Sequence, residues 1–181
     1  SSPADYKKSD LMFAKQVEAP KSKSAIDLTF EHQLTKIKVQ LLPGQGLQDV
    51  ANASIKMLNV NKKIAISSID PSTGLTFGTT SELVSTGIDF GTVTSNEEKA
   101  IIIVPQKITP TGQTLFEVTY NGAKYKYNLD SSGTEIDFAA KTEYTYTLTL
   151  TSGGLEVKSL KISPWTAQTG GSGNAELETT P

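Results

Sequence analysis

Any imidazole acid, base or metal ligand in this sequence must be His32, the single histidine of the chain. It shares one alternating parity with Leu28, Phe30 and Leu34, which directs it inward as a hydrogen-bonded structural residue rather than a catalytic one. A zinc site would need further His or Cys ligands, and the chain has neither. Asp130-Ser131-Ser132-Gly133-Thr134-Glu135-Ile136-Asp137 spaces oxygen ligands like a weak cation loop. It lacks the terminal Glu and the residue order of a calcium loop, so turn chemistry accounts for it. Glu97-Glu98 beside Lys99 reads as a solvated loop, and a glycosidase pair would require a fixed separation across a cleft that no sequence supplies. Asn52-Ala53-Ser54 matches a glycosylation sequon of three residues, silent in most bacteria.

Tyr120, Tyr125, Tyr127, Tyr144, Tyr146 and Trp165 could together form a sugar-stacking platform. Most occupy alternating strand positions, which assigns them to the core or its rim first; Tyr125 and Tyr144 are the positions a surface contact would use. No catalytic residue, metal set or cofactor site emerges from these patterns.

Composition narrows the partners. The formal net charge is -2, and every one of the 17 basic residues is Lys. A nucleic-acid surface needs a basic stripe, and bidentate phosphate or carboxylate clamps need Arg; both are excluded. Without Cys there is no disulfide, thiolate metal site or thiol nucleophile, a usage compatible with a surface protein and with a cytosolic one. No apolar run approaches the length of a membrane span. Ser1 is not an initiator Met, which reads as a processed or cloned form with any export signal already removed.

The elements that must position these residues are strands. Glu143–Trp165 is the clearest: Tyr144, Tyr146, Leu148 and Leu150 alternate with Thr145, Thr147, Thr149 and Thr151 before Gly153-Gly154 turns the chain. A two-residue loop there sets Leu150 against Val157 and Thr149 against Lys158. A bulge at Ser159-Leu160 then sets Leu148 against Leu160 and Tyr146 against Ile162, giving a core face of Tyr146, Leu148, Leu150, Val157, Leu160 and Ile162. Leu115–Leu129 predicts a second hairpin around a type I′ Asn121-Gly122 loop, pairing Val118 with Tyr125, Phe116 with Tyr127 and, on the wet face, Glu117 with Lys126.

Elsewhere, Leu28–Leu41 reads as one long strand with a bend near Thr35-Lys36, and 54–60 and 63–66 as shorter strands. Asp70–Gly74 is a turn leading into Leu75–Phe77, and 78–99 mostly loop with one weak edge strand near Leu83–Phe90. The continuous apolar run Ala100–Val104 predicts a strand buried on both faces or at a sandwich centre, stopped by Pro105. No segment has helical periodicity. The pattern predicts an all-β, antiparallel β-sandwich of about seven to nine strands over 26–166. A leading segment or interdomain linker, 1–25, touches the sandwich through Leu11–Ala14, and a Gly-rich C-terminal tail spans 167–181.

An ordered set of motifs also resembles a known family. Ser9-Asp10-Leu11-Met12-Phe13-Ala14, the Phe30-x-His32-x-Leu34 strand, Val104-Pro105-Gln106, Tyr144-Thr145-Tyr146, Leu155-Glu156-Val157 and Ile162-Ser163-Pro164-Trp165 follow the order seen in the fimbrillin-like proteins of Bacteroidales-type bacteria. The resemblance implies transthyretin-like sandwich domains in a pilus subunit or pilus-associated lipoprotein at the cell surface, with this chain corresponding to the second domain. The lipobox Cys and the Arg cut site of that pattern are missing here, so either both lie upstream of Ser1 or maturation differs in this chain, and contact with the outer membrane would run only through such an upstream lipid anchor. The resemblance further implies other pilus subunits as partners, joined by strand exchange, which is physically β-augmentation. The tail 167–181, where Ala175 and Leu177 alternate with Glu176 and Glu178, or the leading segment, is the expected mobile strand. The resulting expectation is a structural or adhesive, non-enzymatic surface subunit. The alternative is a carbohydrate-binding surface module or tip adhesin, using Tyr125 and Tyr144 against host or bacterial glycans or proteins.

Overall fold

Alternating apolar positions turn nearly every predicted run into a strand, and the described residues contain no helix. The computed structural model describes residues 10–18, 28–94, 96–166 and 168–169. In chain order the strands are β1 (Met12–Ala14), β2 (Thr29–His32), β3 (Thr35–Pro43), β4 (Ser54–Met57), β5 (Val60–Asp70), β6 (Gly74–Val84), β7 (Ile88–Thr92) and β8 (Glu98–Ile103). They continue as β9 (Gln106–Ile108), β10 (Thr114–Tyr120), β11 (Ala123–Asn128), β12 (Ile136–Phe138), β13 (Thr142–Thr151), β14 (Gly154–Pro164) and β15 (Gln168–Thr169).

Eight of these strands make the sandwich: one sheet has the order β11-β10-β4-β7 and the other β14-β13-β3-β8. The inward parity of each sheet supplies the core, with Ile55, Met57, Phe116 and Val118 facing Ile37, Val39, Tyr146 and Leu148. Phe116 meets Tyr146 edge-on at 5.0 Å between ring centroids, an arrangement that places the positive ring edge against the negative face. All pairs are antiparallel except β3–β13, which run parallel from Thr35↔Thr142 to Pro43↔Leu150. A parallel neighbour requires a long crossover, and here the chain from β4 to β12 provides it. Outside the sandwich lie the sheet β1-β2-β15, the pair β9-β12 and the long ribbon β5-β6.

The Asn121-Gly122 hairpin has the expected register, including Val118↔Tyr125, Phe116↔Tyr127 and Glu117↔Lys126. Both loop residues have positive φ, 50° and 78°, as a type I′ loop requires. Glu117, however, pairs diagonally with Lys124, at 3.0 Å, rather than with Lys126 opposite it.

Several expectations are corrected. The β13–β14 loop is Ser152-Gly153 rather than Gly153-Gly154, because the Thr151 hydroxyl accepts from the amides of Gly153 and Gly154 and closes the turn one residue early. Leu150 therefore faces Leu155, Leu148 faces Val157, and the bulge falls at Lys158, so that Tyr146 faces Leu160 and Tyr144 faces Ile162. Leu28–Leu41 is two strands in different sheets; the parity switch at Gln33-Leu34 marks the chain crossing between them. Residues 78–99, expected as mostly loop with at most one weak edge strand near Leu83–Phe90, hold most of β6 and all of β7. Thr, Ser and Gly dilute the alternation there, and cross-strand pairing with β5 and β4 supplies what propensity lacks. The apolar run of β8 lies at a sheet edge with alternating burial rather than at the centre.

Candidate functional site

The sandwich ends in an open strand edge. β13 pairs with β3 on one side and β14 on the other, leaving β14 last in its sheet with its outer main-chain groups without a strand partner among the described residues. Residues directly opposite in an antiparallel pair point to the same face. Leu160 and Ile162 stand opposite Tyr146 and Tyr144, which are each 4% exposed, and therefore point toward the core layer. Yet Leu160 is 43% and Ile162 59% exposed. The first half of β14 is covered, with Leu155 buried and Val157 half-buried, while beyond the Lys158 bulge its core-side residues are exposed. Leu160 and Ile162 were expected in the core face; they form instead an apolar shelf beside an unpaired edge. Lys158 and Lys161 are the charged residues that guard this stretch against indiscriminate pairing.

Beyond β14 the chain is held by a junction around His32. The imidazole is buried, its Nδ1 lies 3.0 Å from Asp10 of the leading segment, and its ring stacks on Trp165 at 3.8 Å with 7° between planes. The Trp165 amide donates to the Lys141 carbonyl, and the Lys36 ammonium sits 5.6 Å from the indole centroid. Lys36 also pairs with Glu143 at 3.0 Å, and Lys38 bridges Glu143 and Glu98. Burial by itself would raise the Glu143 carboxyl, but the hydrogen bonds from Lys36 and Lys38 outweigh it and hold that group below the usual glutamate range. The leading segment and the outgoing chain thus flank one strand: β1 pairs with one edge of β2 and β15 with the other. Leu28 and Phe30 of this region are exposed.

The remaining sequence-predicted positions are dispersed. His32 is buried and hydrogen-bonded as expected, but Leu28 and Phe30 of the same parity are exposed, so Asp10 and the stacked Trp165 rather than an inward strand face account for its burial. Tyr125 is half-buried on β11 against the core. Tyr144, expected as a surface contact, is buried: its hydroxyl donates to the Asp137 carbonyl and accepts from the Ala139 amide, making it an internal strut. Ala175 and Leu177 lie outside the described residues. Asp130 closes an ordinary turn, accepting from the Ser132 amide and hydroxyl, which lower its pKa. Glu97 is held down to about 2 by Lys99 first and then by Thr94. Among the described residues no group of three or more His, Asp or Glu could hold a metal ion. Sequence reasoning missed Asp10 as the partner of His32, and it missed the exposure of Leu160 and Ile162. Alternation reports which face a residue takes, and says nothing of whether that face is covered.

A fimbrillin-like family profile matches residues 1–165. The chain belongs to the fimbrillin-like family. Among curated proteins, a Bacteroides uniformis protein described as "Putative fimbrium subunit Fim1C" is 30% identical over 176 residues, covering 92% of this chain and 55% of the relative. Among solved structures, a "putative cell adhesion protein" from Bacteroides uniformis superposes with a TM-score of 0.59 at 21% identity, over 86% of this chain and 66% of the other. A second, from Bacteroides ovatus, gives 0.54 at 15% identity, over 87% and 61%. These two establish likeness of fold. The fimbrillin-like chain described here spans about half the length of the curated relative it matches.

Proposed function

We propose that this chain is a domain of a bacterial surface fimbrium subunit, structural or adhesive in role and non-enzymatic, that joins other subunits by strand addition. The observation that carries the reading is the free edge of β14, eleven residues long, with Leu160 and Ile162 exposed on its core-facing side. An incoming strand at such an edge gains main-chain hydrogen bonds for affinity and uses the apolar shelf for register. Family membership supports the assignment to fimbriae, and the cell-adhesion description of the structural neighbours supports a surface location.

In this reading the C-terminal tail is the donated strand. Within it, Gln168–Thr169 pair with β2, the strand that carries His32. The test is to delete residues 167–181 from the full-length subunit and follow polymerisation. Loss of polymers with an intact monomer is the expected result, whereas unchanged polymerisation would refute donation by the C-terminus.

A further inference from the structure

Away from the β14 edge, an open cleft of about 650 Å³ separates the β5-β6 ribbon from β9 and the β12–β13 turn. That volume lies within the range of ligand sites, which are concave, largely apolar and fitted with a few convergent polar groups. Its walls are fixed by buried polar clamps. Gln106, from the Val104-Pro105-Gln106 element, uses its whole amide: Oε1 accepts from the Asn61 amide at 2.7 Å, and Nε2 donates to the carbonyls of Asn61 and Val104, each at 3.0 Å. This ties β9 to the base of the ribbon. Tyr144 does the same for the opposite wall through the Asp137 carbonyl and the Ala139 amide. A site held by satisfied buried groups keeps its shape without a ligand.

The surface between the clamps has a defined chemistry. Ile64 and Phe77 give an apolar wall including one aromatic ring, and Thr79 and the exposed Asp137 offer a hydroxyl and a carboxylate at the mouth. Lys107 is already paired with Glu135 at 3.0 Å, and first Glu135, then Asp137, raise its pKa. Lys107 and Asp137 are the charged residues of the lining, and because Glu135 outside it already engages Lys107, an anionic ligand finds no unengaged ammonium among the lining residues. A basic side chain would gain little, since an exposed single ion pair is worth only ~0–1 kcal/mol. A neutral, polyhydroxylated ring uses every group at once: its C–H face covers Phe77 and its hydroxyls reach Asp137 and Thr79.

We infer that this cleft is a binding site for neutral saccharide units, distinct from the strand-pairing edge and from the Tyr125 region. The test is binding of the intact chain to an array of neutral oligosaccharides alongside sialylated and sulfated counterparts, with a lysine tripeptide as a competing probe. Hits are quantified by titration with Phe77→Ala, Asp137→Ala and Tyr125→Ala. Neutral sugars bound by the parent and by Tyr125→Ala, and about tenfold or more weaker in Phe77→Ala and Asp137→Ala at unchanged melting temperature, is the expected result. If either cleft variant unfolds, displacement of amide signals of Phe77 and Asp137 in the parent on adding the bound sugar replaces the affinity comparison, and the absence of displacement overturns the inference. It is equally overturned by no neutral sugar binding, by preference for acidic glycans or the lysine peptide, or by loss of binding only in Tyr125→Ala.

Discussion

Replacing both Leu160 and Ile162 by Thr separates the proposed assembly role of β14 from its structural role. At 43% and 59% exposure, the two side chains present to solvent roughly the equivalent of one whole aliphatic residue. Covering that much apolar surface with an incoming strand is worth about 1.5–3 kcal/mol. Threonine retains strand propensity and one methyl group, so the lost affinity sits toward the lower part of that range, an approximately tenfold to thirtyfold weaker association. The isolated domain should hardly notice, because surface replacements of this kind stay within about 0.5 kcal/mol per site. Polymer length of full-length subunits, measured by sedimentation, should fall sharply while the melting temperature of the monomer holds. Hydrogen exchange supplies a second readout: β14 amides of the parent become protected on assembly, and those of the double variant do so only at higher concentration. Assembly unchanged by the double replacement, with β14 amides unprotected in the polymer, would refute the reasoning that this edge receives a strand.

Other expectations follow from the same structure. Phe116→Ala empties the centre of the sandwich, where Phe116 is fully buried between Phe90 and Tyr146, and should cost ~3–5 kcal/mol in denaturant unfolding. Gly122 sits at φ 78° in the type I′ loop, so Gly122→Val should destabilise the domain by about 1–2 kcal/mol although nothing lies within 4 Å of the added Cβ. Trp165→Ala removes the stack on His32, and hydrogen exchange at β2 and β15 should accelerate far more than at β10. Glu143 has its folded pKa lowered, so its contribution is complete above the ordinary carboxylate range and is lost as pH falls through that range to the folded value. Glu143→Gln should accordingly flatten the loss of thermal stability below about pH 4.5.

The strongest local signals carried the hairpins. Asn121-Gly122 admits the positive φ that a two-residue loop demands, and the Tyr/Leu against Thr alternation of β13 admits only one buried face. The all-β class and the ordered motifs of the fimbrillin-like family were also legible in the sequence. Where a side-chain hydroxyl competed for the turn, as Thr151 does, the register moved by a residue, because such a bond depends on geometry that spacing does not encode.

What the sequence by itself determined, then, was parity: which residues of β3, β10, β11 and β13 share a face, since a strand offers only two faces and solvent selects between them. Only the tertiary structure decided which of those faces is covered. The parallel pairing of β3 with β13, the edge position of β8, the bare shelf at Leu160 and Ile162 and the cleft braced by Gln106 and Tyr144 all depend on contacts between segments far apart in the chain. Local alternation is identical for a central strand and an edge strand. The difference lies in the neighbour that is present or absent, and the outer side of β14 has no strand neighbour among the described residues.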